Sequence, residues 1–397
     1  MRMAELSNRI EQSETLRVKE KALQLKQQGV DVVDLTAGEP DFPTPSNVCE
    51  AGINAIREGF TRYTANAGMP ELRQAIIEKF KRDNNLTYAM NQIIVSAGAK
   101  QALTNAVLTI AEKGDEVIVI APYWVSYYQQ VRLANATPII IDSSKTGFKI
   151  TPQDLEAHIT SNTRLIIFNS PSNPTGIVYT PDELAGLAAV LAKHDIWIVS
   201  DEIYEKIIFD NFTHKSFAQF PELFEKTIVI NGVSKAYSMT GWRIGYAAGP
   251  TEVIKGMGKI QSHYAMAPSI SQKAAAEALK GDQSNVEKMR QTFEKRRNLL
   301  VQKFNDYPDI KYAYPQGAFY LFIDISSAFG KKWNGKTIEN CLDFSEYLIE
   351  SQYLVVVPGT GFGSPNYIRM SFAASDEELE AGFTRLISSL KSLLDDN

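Results

Sequence analysis

The chain has 397 residues and a formal net charge of −5, with 44% hydrophobic and 22% charged residues. That is the balance of an ordinary globular protein, and it leaves no basic field for nucleic acid and no polybasic patch for a membrane surface. Cys49 and Cys341 are the only cysteines and lie outside any metal-ligand spacing, no apolar run approaches the roughly 20 residues that span a bilayer, and the N-terminus carries no apolar signal core, so the expected location is a reducing cytoplasm.

Residues 14–28 have helical spacing that stops at Gly29, and 32–35 read as a short strand. The next stretch, 36–45, contains Pro40, Pro43 and Pro45, which forbid regular structure, and Gly38, which lets backbone approach a ligand closely. Helical patterns follow at about 46–58 and 70–84. Then come a strand at 92–95, the small-residue turn Ser96-Ala97-Gly98-Ala99-Lys100-Gln101, and an apolar helix to about 112. Strand, tight turn and helix N-terminus make an anion seat, although the same pattern also serves as a plain βα turn.

Strands at 116–120, 137–141, 164–169, 196–200 and 227–231 alternate with helical patterns at about 124–133, 152–159 and 181–193. This alternation predicts an α/β fold with a mostly parallel sheet covered on both faces, and ligands in such sheets bind beyond the carboxyl ends of the strands. Chemistry-bearing residues follow those strands: Trp124, Asn173, Asp201 with Tyr204, and Ser234 with Lys235. Beyond about 250 the pattern is helical to about 306, with Glu294-Lys295-Arg296-Arg297 expected on a solvated face. Strands at 317–323, 354–357 and 367–372 and helices at 341–351 and 376–394 then suggest a smaller α+β unit. The expected division is a large domain over 45–300 and a small one made of 1–44 plus 301–397.

A lysine at the exit of a core strand is an odd place for an idle charge, and burial favours its free amine, which forms a Schiff base with an aldehyde. Phosphate-binding candidates at Gly98, Ala99 and Lys100, at Ser234 and at Arg243 suggest an aldehyde that carries a phosphate. Asp201 can hold a ring nitrogen protonated, Tyr204 and Asn173 can hydrogen-bond a ring oxygen, and Trp124 offers a flat face for stacking. Together these describe pyridoxal 5′-phosphate. Singly, each has a plainer role: Asp201 as a helix cap, Trp124 in the core, Asn173 in a turn. Arg369, inside an apolar strand, fits a bidentate clamp on a carboxylate. His158, His194, His214 and His263 form no metal spacing and no triad, so no metal is expected and the histidines read as surface or structural. No nucleophile-elbow pattern is present.

The motifs Ser200-Asp201-Glu202-Ile203-Tyr204, Ser172-Asn173-Pro174-Thr175-Gly176, Ser234-Lys235-Ala236 with Gly241-Trp242-Arg243, and Ile368-Arg369 resemble those of class I pyridoxal-phosphate aminotransferases over essentially the whole chain. More narrowly the chain resembles the bacterial-type aspartate aminotransferases (subgroup Iβ) and the related prephenate aminotransferases, with Ala37–Phe42, Gly98–Gln101 and Ala121–Tyr127 in support. The resemblance implies a fold type I transferase that moves amino groups between L-aspartate or L-glutamate and 2-oxo acids, working as a homodimer with shared active sites. It implies Lys235 as the cofactor-bearing lysine and proton shuttle, Asp201 on the pyridine nitrogen, and Tyr204 and Asn173 on the ring oxygen. Trp124 would stack on the ring, the backbone at Gly98, Ala99 and Lys100 with Ser234 and Arg243 would hold the phosphate, and Tyr63 would reach the neighbouring subunit's phosphate. Gly38, Asn173 and Arg369 would bind the α-carboxylate and Lys100 the distal one, with Thr15 beside it in prephenate-active members. The alternatives are an aminotransferase of aromatic or alanine specificity, a C–S or related lyase on the same fold, and the effector domain of a transcription regulator. For the last, the roughly 30 residues before Asp31 are too few to form a DNA-binding domain.

Overall fold

The computed structural model describes residues 3–12 and 14–395. A short strand, β1 (Val33–Asp34), precedes the central sheet, which is built from β2 (Ile93–Ser96), β3 (Glu116–Ala121), β4 (Thr137–Asp142), β5 (Thr163–Asn169), β6 (Trp197–Asp201), β7 (Thr227–Gly232) and β8 (Gly245–Ala248). The strand order is β2-β8-β7-β6-β5-β3-β4. Strands β4, β3, β5, β6 and β7 run parallel, and β8 is antiparallel to both its neighbours.

The apolar runs of these strands are continuous because both faces are covered. Along β3, Val117 and Val119 pack with the helices Ala99–Ile110 and Thr251–Gln261, while Ile118 faces Leu184, Leu187 and Leu191 of the helix Pro181–Leu191. Strand β8 was not predicted. Its sequence, Gly-Tyr-Ala-Ala, lacks the β-branched residues that mark a strand. Small residues are needed there, since a Cβ on Gly245 would lie 2.1 Å from the Ala99 nitrogen.

The second part of the chain carries β9 (Tyr312–Ala313), β10 (Tyr320–Asp324), the hairpin β11 (Lys332–Trp333) and β12 (Lys336–Thr337), then β13 (Leu354–Val355), β14 (Val357–Pro358) and β15 (Tyr367–Ser371). A four-stranded antiparallel sheet has the order β14-β15-β10-β9, and β1 pairs in parallel with β13, which fastens the N-terminal segment to the C-terminal part. Residues 354–357, expected as one strand, are divided between two sheets at Val356. The strand expected at 317–323 begins only at Tyr320, because Ala318 lies at φ 56 and turns the chain.

One expectation is overturned on the long helix Ser284–Phe304. Arg296 and Arg297 do not face solvent: they are 7% and 0% exposed. Arg297 donates two hydrogen bonds of 2.6 Å to the Asp210 carboxylate and Arg296 two of 2.8 Å to Asp41. A run of charges at helical spacing looks solvated when its carboxylate partners lie far away in sequence. Among the described residues, no helix is long and apolar enough to cross a membrane.

Candidate active site

A cavity of about 360 Å³ opens at the carboxyl ends of β5, β6 and β7. Its lining includes Gly38, Ala99, Lys100, Trp124, Asn173, Asp201, Tyr204, Ser234, Lys235, Arg243 and Arg369. Residues separated by more than 300 positions thus converge where the parallel-sheet rule places a ligand.

Asp201 ends β6 and is 4% exposed. Its carboxylate accepts a 2.6 Å hydrogen bond from the Tyr127 hydroxyl and one of 3.2 Å from the Ile203 backbone N–H. Burial outweighs these bonds and pushes its pKa up to about 6. Lys235 leaves the loop after β7, and its amine donates to the Gly38 carbonyl. Burial, more than the charges around it, lowers its pKa to about 8: Glu39 and Asp201 favour the ammonium while Arg369 and Arg243 oppose it. Such a lysine is poised to lose a proton near neutral pH.

The helix Ala99–Ile110 begins at the cavity; the Gln101 and Ala102 N–H groups donate to the Gly98 carbonyl, while those of Ala99 and Lys100 have no acceptor among the described residues. Gly98 caps it at φ 85, where a Cβ would come within 2.2 Å of Arg243 Nη2. Only a glycine lets that guanidinium lie across the helix start. Arg243 donates to the Thr240 carbonyl at 2.9 Å, and buried Ser234 lines the same wall. This is a seat for an anion.

Arg369, on β15, is 2% exposed. It donates to Asn173 Oδ1 and to the Thr36 carbonyl, each at 3.0 Å, and its guanidinium carbon lies 4.3 Å from the centre of the Tyr320 ring. Its Nε finds no partner among the described residues. Burial lowers its pKa, but an arginine keeps its charge, so the cavity holds a fixed cation with no carboxylate partner among the described residues. Lys100 lies over the Trp124 ring at 5.0 Å, and burial together with Arg243 makes its amine less basic. The Tyr204 and Tyr320 hydroxyls are 2.9 Å apart.

Two predicted residues are not gathered here. Tyr63 is 95% exposed and lies outside the cavity of its own chain. Thr15 falls in the helix Glu14–Gln27, and its side chain lies outside the described residues. The sequence reading missed Tyr127, Tyr320, Glu39 and Thr240, all of which touch the cavity or its lining. Tyr127, three residues past Trp124 on the first turn of a helix, offered the one available signal.

Away from the cavity, Glu202, Glu205 and His214 cluster closely enough to suggest a metal, but the arrangement is an ion-pair network. Lys79 pairs with Glu205, His214 with Glu202, and the attraction of Lys79 and His214 brings Glu205 down to about 2 despite its burial. His214 is partly buried within this network.

A fully buried acid and a lysine of lowered basicity, beside an anion seat and a carboxylate-seeking arginine, define a site for a phosphorylated aldehyde cofactor and an amino acid. The comparisons agree with that reading. The sequence model of the family described as aminotransferase class I and II matches residues 30–386. The chain is similar to an aspartate aminotransferase of Bacillus sp. (strain YM-2), 47% identical over 96% of this chain and 98% of that one. It is also similar to an aspartate/prephenate aminotransferase of Cereibacter sphaeroides, 48% identical over 95% and 96%. The solved aspartate aminotransferase of Rhizobium meliloti superposes with a TM-score of 0.94 at 41% identity, covering 99% of this chain and all of that one. The chain belongs to the class I and II aminotransferases and is a pyridoxal-phosphate-dependent enzyme.

Proposed function

We propose that the protein transfers the amino group of L-aspartate or L-glutamate to a 2-oxo acid, oxaloacetate or 2-oxoglutarate. The observation that carries this reading is the pair of cations lining one cavity with Lys235 and Asp201: Arg369, fixed by Asn173 and Thr36, and Lys100, over Trp124. Two cations suit a substrate with two carboxylates.

The donor set fits pyridoxal phosphate. The backbone at Gly98, Ala99 and Lys100, with Ser234 and Arg243, would hold its phosphate, and Trp124 would stack on its ring. When bound, the cofactor supplies an aldehyde carbon that takes up amines and a ring that accepts negative charge from the substrate α-carbon. Asp201 would hold the proton on the ring nitrogen, and Tyr127 orients Asp201. Tyr204 and Asn173 would donate to the ring oxygen. Arg369 and Gly38 would orient the α-carboxylate, and Lys235, whose burial lowers its pKa to about 8, would take up and return the proton of the substrate α-carbon. Lys100 selects the distal carboxylate. The similarity to an aspartate/prephenate aminotransferase extends the reading to prephenate as an acceptor, for which Lys100 and Thr15 are the candidate residues.

The reading includes a homodimer, and the exposure of Tyr63 suits a residue that serves the partner's site. It also includes a large unit over 45–300 and a small unit made of 1–44 plus 301–397, in keeping with the β1–β13 pairing. The test is turnover of aspartate with 2-oxoglutarate, followed as oxaloacetate. Ammonia or pyruvate formed from a single amino acid without an acceptor would place the chain among the lyases instead.

A further inference from the structure

Residues 37–43 bring Gly38 and Glu39 into the cavity wall, yet among the described residues Ala37, Gly38 and residues 40–43 make no backbone–backbone hydrogen bond. Prolines at 40 and 43 remove two of the donors that could have made one. Side chains hold the segment instead. At its far end Thr44 Oγ1 donates to the Ser238 carbonyl and accepts from Trp242, and Glu39 accepts from Thr240 at 2.7 Å. These contacts reach the loop that carries Lys235.

The remaining anchor comes from the helix Ser284–Phe304. Arg296 donates Nη1 and Nη2 to the two oxygens of Asp41, each at 2.8 Å, and Nε to Asp376 at 3.2 Å. Its guanidinium carbon lies 5.6 Å from the Phe42 ring centre, and Phe42 meets Phe293 edge-on at 5.5 Å. The arginine is almost wholly buried while Asp41 lies at the surface, so the bond pulls an exposed loop residue onto a fixed helix. A bidentate pair sets direction as well as distance. Gly38, three residues before Asp41, offers its carbonyl to Lys235, and Thr36 offers its carbonyl to Arg369.

We infer that Arg296 is a positioning residue which, through Asp41, fixes the 36–44 loop at the distance from Lys235 and Arg369 that substrate carboxylate binding requires. The inference rests on the proposed amino-donor site but concerns residues that do not touch substrate.

Asp376 supplies the control, because it binds the same guanidinium without belonging to the loop. The test compares Asp41→Asn, Arg296→Lys and Asp376→Asn in the cofactor-loaded protein. It measures steady-state constants with aspartate, the Kd of unreactive succinate, and hydrogen–deuterium exchange of a peptide covering 36–44. Asp41→Asn changes a surface carboxylate and leaves the core intact. Arg296→Lys keeps the charge but loses the fork. The expected result for both is a KM and a succinate Kd raised about tenfold, kcat within about threefold of wild type, and faster exchange in 36–44. Asp376→Asn should stay within about twofold on every measure. A purely structural arginine would lower thermal stability in all three without moving KM. An unchanged Asp41→Asn, or an Asp376→Asn that moves as far as Asp41→Asn, overturns the assignment. Failure of wild-type protein to use aspartate would sink the amino-donor reading alone, since the exchange comparison still decides the role of Arg296.

Discussion

Replacing Lys235 by methionine should make the cofactor-free protein more stable at neutral pH. Burial takes the Lys235 amine from 10.5 to about 8, so the fold disfavours the ammonium relative to the unfolded chain. At 1.36 kcal/mol per pH unit that is about 3 kcal/mol, reduced to about 2 kcal/mol because the residue is only half-buried and methionine leaves the Gly38 carbonyl without its donor. Because the folded pKa lies below the unfolded one, the cost is fully present below about pH 8. It fades as pH rises toward 10.5, where the unfolded chain also gives up the proton. Urea unfolding of cofactor-free wild type and Lys235→Met, at one protein concentration and at pH 7 and pH 9.5, measures it. The variant should be stabilised by about 2 kcal/mol at pH 7 and by less at pH 9.5. A variant less stable at pH 7, or a gap that ignores pH, would show that the lysine is not held against its own charge.

Arg369→Lys keeps the charge but loses the fork, and kcat/KM for aspartate should fall about a hundredfold while cofactor binding holds. Lys100→Met removes one charged hydrogen-bond donor, about 1.5–3 kcal/mol, so kcat/KM should drop about ten- to a hundredfold for aspartate and hardly change for alanine. Gly98→Ala puts a Cβ against Arg243 at a positive φ, and equilibrium dialysis should show cofactor affinity weakened by about tenfold or more. Arg297→Met removes a fully buried guanidinium from its bidentate bond to the solvent-facing Asp210 carboxylate, and urea unfolding should report a loss of about 1.5–3 kcal/mol, with KM for aspartate unchanged.

The sheet and most of the candidate site were legible because a parallel sheet concentrates chemistry at its strand ends. Asn173, Asp201 and Lys235 each follow a buried apolar run. What the sequence hid depends on contacts across long separations. Tyr127 gains its role only by meeting Asp201, 74 residues on, and Tyr320 only by meeting Tyr204, 116 residues back. Arg296 and Arg297 read as solvated charges because Asp41 and Asp210 lie 255 and 87 residues away. Strand β8 stayed hidden because close approach to the helix at Ala99 demands glycine and alanine where strand signals need bulk.

The most direct measurement is a half-reaction. The purified, cofactor-loaded protein is mixed with aspartate, glutamate or arogenate separately, with no 2-oxo acid present, while the visible spectrum is recorded. The account predicts that aspartate and glutamate each bleach the long-wavelength absorbance of the bound cofactor and yield one oxo acid per site without ammonia. The same response to arogenate would support prephenate as an acceptor and make Lys100 and Thr15 the pair to change next. No spectral response to aspartate or glutamate, or release of ammonia, would contradict it.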